Sequence, residues 1–169
     1  KGALITDENY GTATPLPESS RQDIFKFVET ELLDIEGKLP QTNTYGRATS
    51  SAARMLLAKL YLNAEVYTGT ARYNDAATYV NKVITQGGYS LETNYSKNFS
   101  ADNNTSKEVI YALIADAATS QSFGNTTYIV NGSISTDTMT PADFGTTDGW
   151  AGHRASKGWY GLFGSSSSE

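Results

Sequence analysis

Apolar residues in this chain follow helical spacing up to Gly88 and lose it afterwards. Residues 1–18 carry no period and are punctuated by Gly2, Gly11, Pro15 and Pro17, so they read as loop. Ser19 and Gln22 form an S-x-x-Q capping box that opens a first helix. Its stripe is Ile24, Phe27, Val28, Leu32 and Ile35, and it ends at Gly37. Residues 38–48 read as a linker. A second helix starts at Thr49 and Ser50 and stops at Gly69. It places Ala53, Leu56, Leu57, Leu60, Tyr61, Ala64 and Tyr67 on one face. A third begins at Asn74 and repeats Ala76, Ala77, Val80, Val83 and Ile84. It stops at Gly87-Gly88. Small alanines where the last two helices meet allow close approach, as in helix-pair repeats of the tetratricopeptide type. Three successive helices predict an α-solenoid segment that buries its stripe against a neighbour.

Beyond Gly88 the pattern predicts short strands and loops. Tyr89–Leu91 is strand-like, and Tyr95–Ser106 is polar and loop-like apart from Phe99. Glu108–Ala115 contains Val-Ile-Tyr-Ala-Leu-Ile-Ala, which reads as a buried strand because Val, Ile and Tyr are enriched there. Thr126–Val130 reads as a second strand after a Gly124-Asn125 turn, and the two predict a hairpin. From Asn131 to Gly152 the chain is dominated by Gly, Thr, Ser and Asp, with Pro141. A long irregular segment of this kind is often functional. Gly158–Phe163 starts another helix, and Ser165–Ser168 reads as a solvated run.

Composition narrows the function classes. Charged residues are 18% of the chain, below the typical value of about 25%. Ser, Thr and Asn number 17, 21 and 11, and Tyr adds 11, a surface chemistry common among secreted carbohydrate binders and equally common in extracellular proteins that bind nothing of the kind. A net charge of -5 with no basic cluster argues against nucleic acid, whose binding is driven by counterion release from phosphates. There is no cysteine, which excludes disulfides, thiolate nucleophiles and cysteine-ligated zinc. No apolar run approaches the ~18 residues that span a bilayer. Residues 1–20 have no signal-peptide core.

The stretch Tyr45–Leu91 carries a specific resemblance. Tyr45-Gly46-Arg47 is followed by Leu60-Tyr61-Leu62-Asn63-Ala64, Tyr73-Asn74-Asp75-Ala76-Ala77, Val83-Ile84 and Gly88-Tyr89-Ser90-Leu91. Tyr95, Phe99, Asn103 and Glu108-Val109-Ile110-Tyr111 continue the order. In this order the chain resembles the SusD/RagB family over roughly Pro15–Phe163. Those proteins are outer-membrane surface lipoproteins of Bacteroidetes that bind glycans or other nutrients above a TonB-dependent transporter. The resemblance implies a mainly α fold with tetratricopeptide-like helix pairs, short β-strands and long loops. It also implies one partial domain, with a helical part over 1–87 and a loop-rich part over 88–169. Family members are much longer, so the chain is expected to be a middle fragment without the lipid-anchored start or the C-terminal part.

Trp150 is the first candidate for ligand contact. It lies in Asp148-Gly149-Trp150-Ala151-Gly152-His153-Arg154, a glycine-flanked aromatic in a long loop. Sugar rings stack their C–H faces on aromatic planes, and a stiff Trp offers such a face at low entropic cost. Family members with glycan ligands use loop aromatics in this part of the chain, and Trp150 resembles one of them. The competing reading is a plug that packs the loop onto the helices. Phe123 and Tyr128 flank the Gly124-Asn125 turn and could join an aromatic arc, or sit in the core. Asn125, Asp148 and Arg154 are candidate partners for sugar hydroxyls, or ordinary turn and surface residues. Arg47 and Arg54 are expected to tie helix ends to carboxylates or carbonyls. Tyr61, Tyr67, Tyr73 and Tyr79 are expected to pack the helices.

Catalysis and metals find little footing. His153 is the only histidine, without a nucleophile in motif context or enough companions for a metal. Asp102-Asn103-Asn104-Thr105-Ser106-Lys107-Glu108 alternates oxygen ligands but breaks the EF-hand pattern at Lys107 and Leu113, so it reads as an Asn-rich turn. No carboxylate pair has glycosidase context and no phosphate-binding glycine motif is present. The expectation is therefore a binding protein and not an enzyme, with no cofactor and no metal. Its expected ligand is an oligosaccharide or polysaccharide such as starch, and its expected partner a TonB-dependent outer-membrane transporter. Contact with the membrane is expected only through a lipid anchor outside this chain. The alternatives are a helical scaffold that mainly contacts the transporter, or binding of a non-glycan nutrient such as peptide.

Overall fold

A computed structural model describes residues 2–6, 8–11, 15–100, 102–114 and 125–163. They fall into two units, 1–113 and 114–169. The first unit opens with a minimal antiparallel pair, β1 (Gly2–Ala3) against β2 (Glu18–Ser19), in which Gly2 faces Ser19. Helices α1 (Arg21–Glu36), α2 (Ser50–Leu62), α3 (Ala64–Thr68) and α4 (Tyr73–Gln86) follow. The second unit contains α5 (Asn125–Ser133) and α6 (Lys157–Tyr160). The fold is mainly α, and β1–β2 is the only sheet among the described residues.

Each helix start has a local cause, and two differ from the sequence expectation. Because Ser19 is held in the β1–β2 pair, the capping box shifts one residue on. Ser20 accepts the Asp23 N–H at 3.1 Å, and the Asp23 carboxylate accepts the Ser20 N–H at 3.3 Å. Helix α4 begins at Tyr73, before Asn74, with Arg72 in the capping position. Asp75 in the first turn meets the helix dipole there and also binds Arg72 Nε at 2.7 Å. The second predicted helix breaks at Asn63 and resumes as α3, which Gly69 ends with a φ of +82°.

Helix α2 packs against both α1 and α4, and α3 also meets α1. The core between them is Phe25 and Leu32 of α1, Leu57 and Tyr61 of α2, Ala64 of α3 and Ala76 of α4. Phe25, which the predicted stripe of the first helix omits, is buried, whereas Leu56 and Ile84, from the predicted stripes of the second and third, are 53% and 68% exposed. The two small residues Ala64 and Ala76 allow the close approach that the sequence predicts.

Two polar clusters, one heptad apart, bracket this core. Glu29 and Glu36 on α1 are separated by seven residues, as are Arg54 and Tyr61 on α2, and Arg72, Tyr79 and Gln86 run in the same step into and along α4. Seven residues advance a helix about 10.5 Å. In one cluster Tyr61 donates to Glu29 at 2.8 Å, Arg72 pairs with the same carboxylate, and the Arg72 guanidinium lies 4.2 Å from the Tyr61 ring centre. In the other, Arg54 donates to Glu36 at 2.7 Å and to Gln86 at 3.0 Å, and Lys82 approaches Glu36 at 3.6 Å. Tyr79 bridges the two, stacked 5.7 Å from Tyr61 with Lys82 4.4 Å above its ring. Arg54 thus takes the tying role expected of it. Of the four tyrosines expected to pack, Tyr61 and Tyr79 do, while Tyr67 and Tyr73 are 42% and 52% exposed.

The predicted strands do not form. Residues 89–91 and 108–114 are irregular, and 126–130 lie inside α5. Ala115 is outside the described residues. Carboxylates join the first two segments in place of a ladder. Glu92 accepts the Lys107 N–H at 2.7 Å, and Glu108 accepts the Glu92 N–H at 2.8 Å and Asn98 Nδ2 at 3.1 Å. Short 3₁₀ turns occupy Tyr95–Phe99 and Asn103–Thr105. Asp102 spends its oxygens on Lys97 and Ser100, each at 2.6 Å, and these bonds hold its carboxyl down to about 2. Among the described residues no three His or acidic side chains gather as a metal site.

Leu57 and Leu56 separate buried from exposed on the same helix. Leu57→Ala should cost about 2–5 kcal/mol by urea denaturation, and Leu56→Ala should stay within about 0.5 kcal/mol. Equal losses would contradict the rotation of α2. The Arg54 hydrogen bond holds the Glu36 carboxyl below its ordinary value, against the opposing effect of burial. Its contribution to stability is therefore present above the ordinary glutamate range and lost as pH falls through the lowered one. A pH series of unfolding midpoints should show that acid limb, and Glu36→Gln should flatten it.

Candidate functional site

The second unit is organised by the end of α5. An α-helix leaves its last four carbonyls without internal donors. Here the returning loop supplies two of them. The Trp150 N–H donates to the Asn131 carbonyl at 2.7 Å and the His153 N–H to the Gly132 carbonyl at 2.7 Å. Between them, the Ala151 N–H donates to the carbonyl of Ile134 at 2.9 Å. Ile134 is buried at 2% exposure and anchors the junction. A side-chain bond adds to it, from Thr146 Oγ1 to Asn131 Oδ1 at 2.8 Å.

This docking explains why 126–130 is helical although Thr, Ile and Val favour strands. Propensity is a weak prior that tertiary partners override. Loop amides meet the carbonyls of Asn131 and Gly132 just after this stretch, and Ser133 Oγ donates back to the Ile129 carbonyl at 2.7 Å.

Two glycines make the approach possible. A Cβ on Gly149 would lie 2.7 Å from Ile134 Cγ2 and 2.8 Å from the Ile134 carbonyl oxygen. A Cβ on Gly132 would lie 2.8 Å from His153 Cε1, so the imidazole occupies the place of a side chain. Tyr128, one turn before Gly132, meets the same ring edge to face, with centres 4.7 Å apart at 70°. Ser133 Oγ is 3.4 Å from His153 Nδ1. Ala151 has a φ of +50°, in the left-handed region where a residue with a Cβ is strained by about 1–2 kcal/mol. Such strain collects at ligand clamps and switch regions.

The candidate residues are distributed as follows. Trp150 lies in the docked loop, its backbone pinned and its residue surface 38% exposed. Tyr128 is on α5, 55% exposed and in contact with His153. It is therefore a helix residue and not part of a strand. Asp148 is exposed and caps the Gly149 N–H at 2.8 Å. Arg154 is exposed and donates through Nη1 to the His153 carbonyl at 3.3 Å. Asn125 is the first residue of α5. Phe123 lies outside the described residues. Trp150, Asp148 and Arg154 thus share one loop braced on the helix that carries Tyr128. Sequence reading missed Asn131, Gly132, Ile134 and Gly149, which build the support. The glycines flanking Trp150 were the available signal.

No family model matches the chain. Among curated proteins it is 36% identical over 150 residues to the starch-binding protein SusD of Bacteroides thetaiotaomicron, covering 85% of this chain and 26% of that protein. It is 33% identical over 116 residues to a SusD-like protein of Bacteroides ovatus, covering 65% of this chain and 21% of that protein. A solved crystal structure described as being with a xylogluco-oligosaccharide matches 64% of this chain and 23% of its own, with a TM-score of 0.57 and 32% identity. The chain spans about a quarter of the length of the curated relatives it matches.

Gly149→Ala places a methyl group against the backbone of Ile134, which cannot turn aside, and should cost about 1–3 kcal/mol. With Trp159 replaced by Phe, the emission of Trp150 should shift to the red as the loop lifts. Unchanged emission and stability would contradict the close approach of Gly149 to Ile134.

Proposed function

This chain belongs to the SusD-like proteins, and from that premise we propose that it contributes a glycan-binding loop to a cell-surface nutrient-capture protein. The observation that carries the reading is Trp150: an aromatic residue left partly exposed in a loop whose backbone is hydrogen-bonded to a helix end. A preformed ring loses little freedom when a sugar stacks on it. A partly exposed indole can stack on axial C–H groups of a sugar. Asp148 and Arg154, two residues before and four after, bring an acceptor and donors for hydroxyls. Tyr128 extends the same surface along α5. Nothing in this arrangement calls for chemistry on the sugar, and binding alone accounts for it. The names of the relatives, starch-binding in one and xylogluco-oligosaccharide in another, support a polysaccharide fragment as the ligand class.

In the intact protein the captured glycan would pass to a TonB-dependent outer-membrane transporter, with a lipid anchor holding the binding protein at the cell surface. No described helix is long and apolar enough to cross a membrane. A second reading, a helical scaffold that mainly contacts the transporter, draws on the exposed apolar residues Leu62, Val80 and Ile84, at 59%, 37% and 68%.

Truncating an aromatic anchor costs about 2 kcal/mol or more, which is roughly 30-fold in affinity. Trp150→Ala in the full-length protein should therefore lose at least that much affinity for malto- or xylogluco-oligosaccharides, with its circular dichroism unchanged. Loss of secondary structure would instead make Trp150 a packing plug. Intact glycan binding, together with transporter capture that fails in Ile84→Glu, would favour the scaffold.

A further inference from the structure

A second concave site lies entirely within the first unit. A cavity of about 220 Å³ is enclosed by the 41–47 loop, the start of α2, the residues just after α4 and the segment 109–112. That is below the roughly 300 Å³ at which drug-sized pockets begin, so it suits a single ring and not a chain. Tyr45, Tyr89 and Tyr111 stand in its wall. Tyr45 and Tyr111 are 46% and 51% exposed and present ring surface. Tyr89 is fixed against Gly87, where a Cβ would meet its ring at 2.5 Å.

The polar groups of the wall divide into committed and available ones. Gln41 donates to the Gln86 carbonyl at the end of α4. Asn43 donates to the Ala48 carbonyl at 3.0 Å and accepts the Thr44 N–H at 2.9 Å. These amides brace the loop. Arg47 differs. It is the only charged residue in the wall, no carboxylate accompanies it there, and its guanidinium has no hydrogen bond or ion pair among the described residues. The hydroxyls of Tyr45, Tyr89 and Tyr111 are likewise uncommitted among the described residues. Thr49, also in the wall, buries a hydroxyl without a partner. In the same helical unit Arg54 and Arg72 are both paired with carboxylates, whereas Arg47, like Arg21, is not so paired among the described residues.

A site rich in donors, with one cation and tyrosine faces, selects a ring that carries a carboxylate. Hydrogen bonds between ionised partners are roughly twice as strong as neutral ones, and the guanidinium fork matches a carboxylate in two places. We propose that this cavity binds a uronic acid residue, with its carboxylate on Arg47 and its ring against the tyrosines. The site shares no residue with the Trp150 loop, so it makes the protein's second glycan contact selective for acidic sugars.

The test is calorimetric titration of the full-length Trp150→Ala variant, in which loop binding is silenced, with digalacturonate, its neutral digalactose counterpart and acetate. Digalacturonate should bind at least tenfold more tightly than either control and weaken as salt is raised. Arg47→Gln removes an exposed side chain with no partner and should leave the fold intact while cutting that affinity about tenfold. Equal binding of the acidic and neutral sugars, equal binding of acetate, no binding of digalacturonate, or unchanged binding in Arg47→Gln would each overturn the proposal. None of these outcomes bears on the Trp150 reading, which is measured with neutral glycans on the parent protein.

Discussion

The carbonyl groups at the end of a helix need donors, and the way this chain supplies them sets the position of its loops. At the end of α5 the donors are the backbone amides of Trp150 and His153, with that of Ala151 on the adjoining Ile134 carbonyl. At the end of α4 the donor to Gln86 is the side chain of Gln41. In both places a helix-end carbonyl holds an irregular segment, through loop amides in one and through a loop side chain in the other. The segment's position in turn fixes where its side chains stand: Trp150 in one case, Arg47 in the other. A binding group on a loop is only as precise as its support. Here the support is a helix terminus whose open carbonyls accept hydrogen bonds from the loop.

The helical unit rests on a different balance. Its buried core includes four alanines, Ala53, Ala58, Ala64 and Ala76. The polar clusters at Glu29 and Glu36 repeat the heptad of the core residues Phe25 and Leu32. Ion pairs of this kind add little net stability, because desolvation offsets attraction, but losing one partner strands the other. Their effect is on register. Sliding α2 by one turn along α1 would separate Arg54 from Glu36 and Tyr61 from Glu29 together. The short alanine side chains permit close packing, and the spaced polar pairs decide where along the axis it occurs.

The first three helices were legible because each carries its own period and its own stop at Gly37, Gly69 and Gly87-Gly88. Errors there were small and had local causes. Ser19 was drawn into β2, and Phe25 faced inward where Phe27 had been expected to. Beyond Gly88 local pattern failed. Val, Ile and Tyr at 109–111 resemble a strand, yet their segment is joined to 89–92 by glutamate side chains, which no periodicity records. Thr126–Val130 has the composition of a strand, but it lies in a helix whose end carbonyls, those of Asn131 and Gly132, are met by residues about twenty positions later. The loop aromatics and charges were visible as candidates from glycine-flanked composition. The contacts that position them were not, because Gly132 and Gly149 matter through the atoms that press on them.

Amide hydrogen exchange, resolved at single residues, bears most directly on the braced loop. Three donors that share one docked loop should open together, so the Trp150, Ala151 and His153 amides should be protected to a similar degree and well beyond their exposed neighbours in the loop. Exchange of these three at the rate of an open chain would mean that the loop is not docked on α5. The indole would then be a mobile side chain and not a preformed platform.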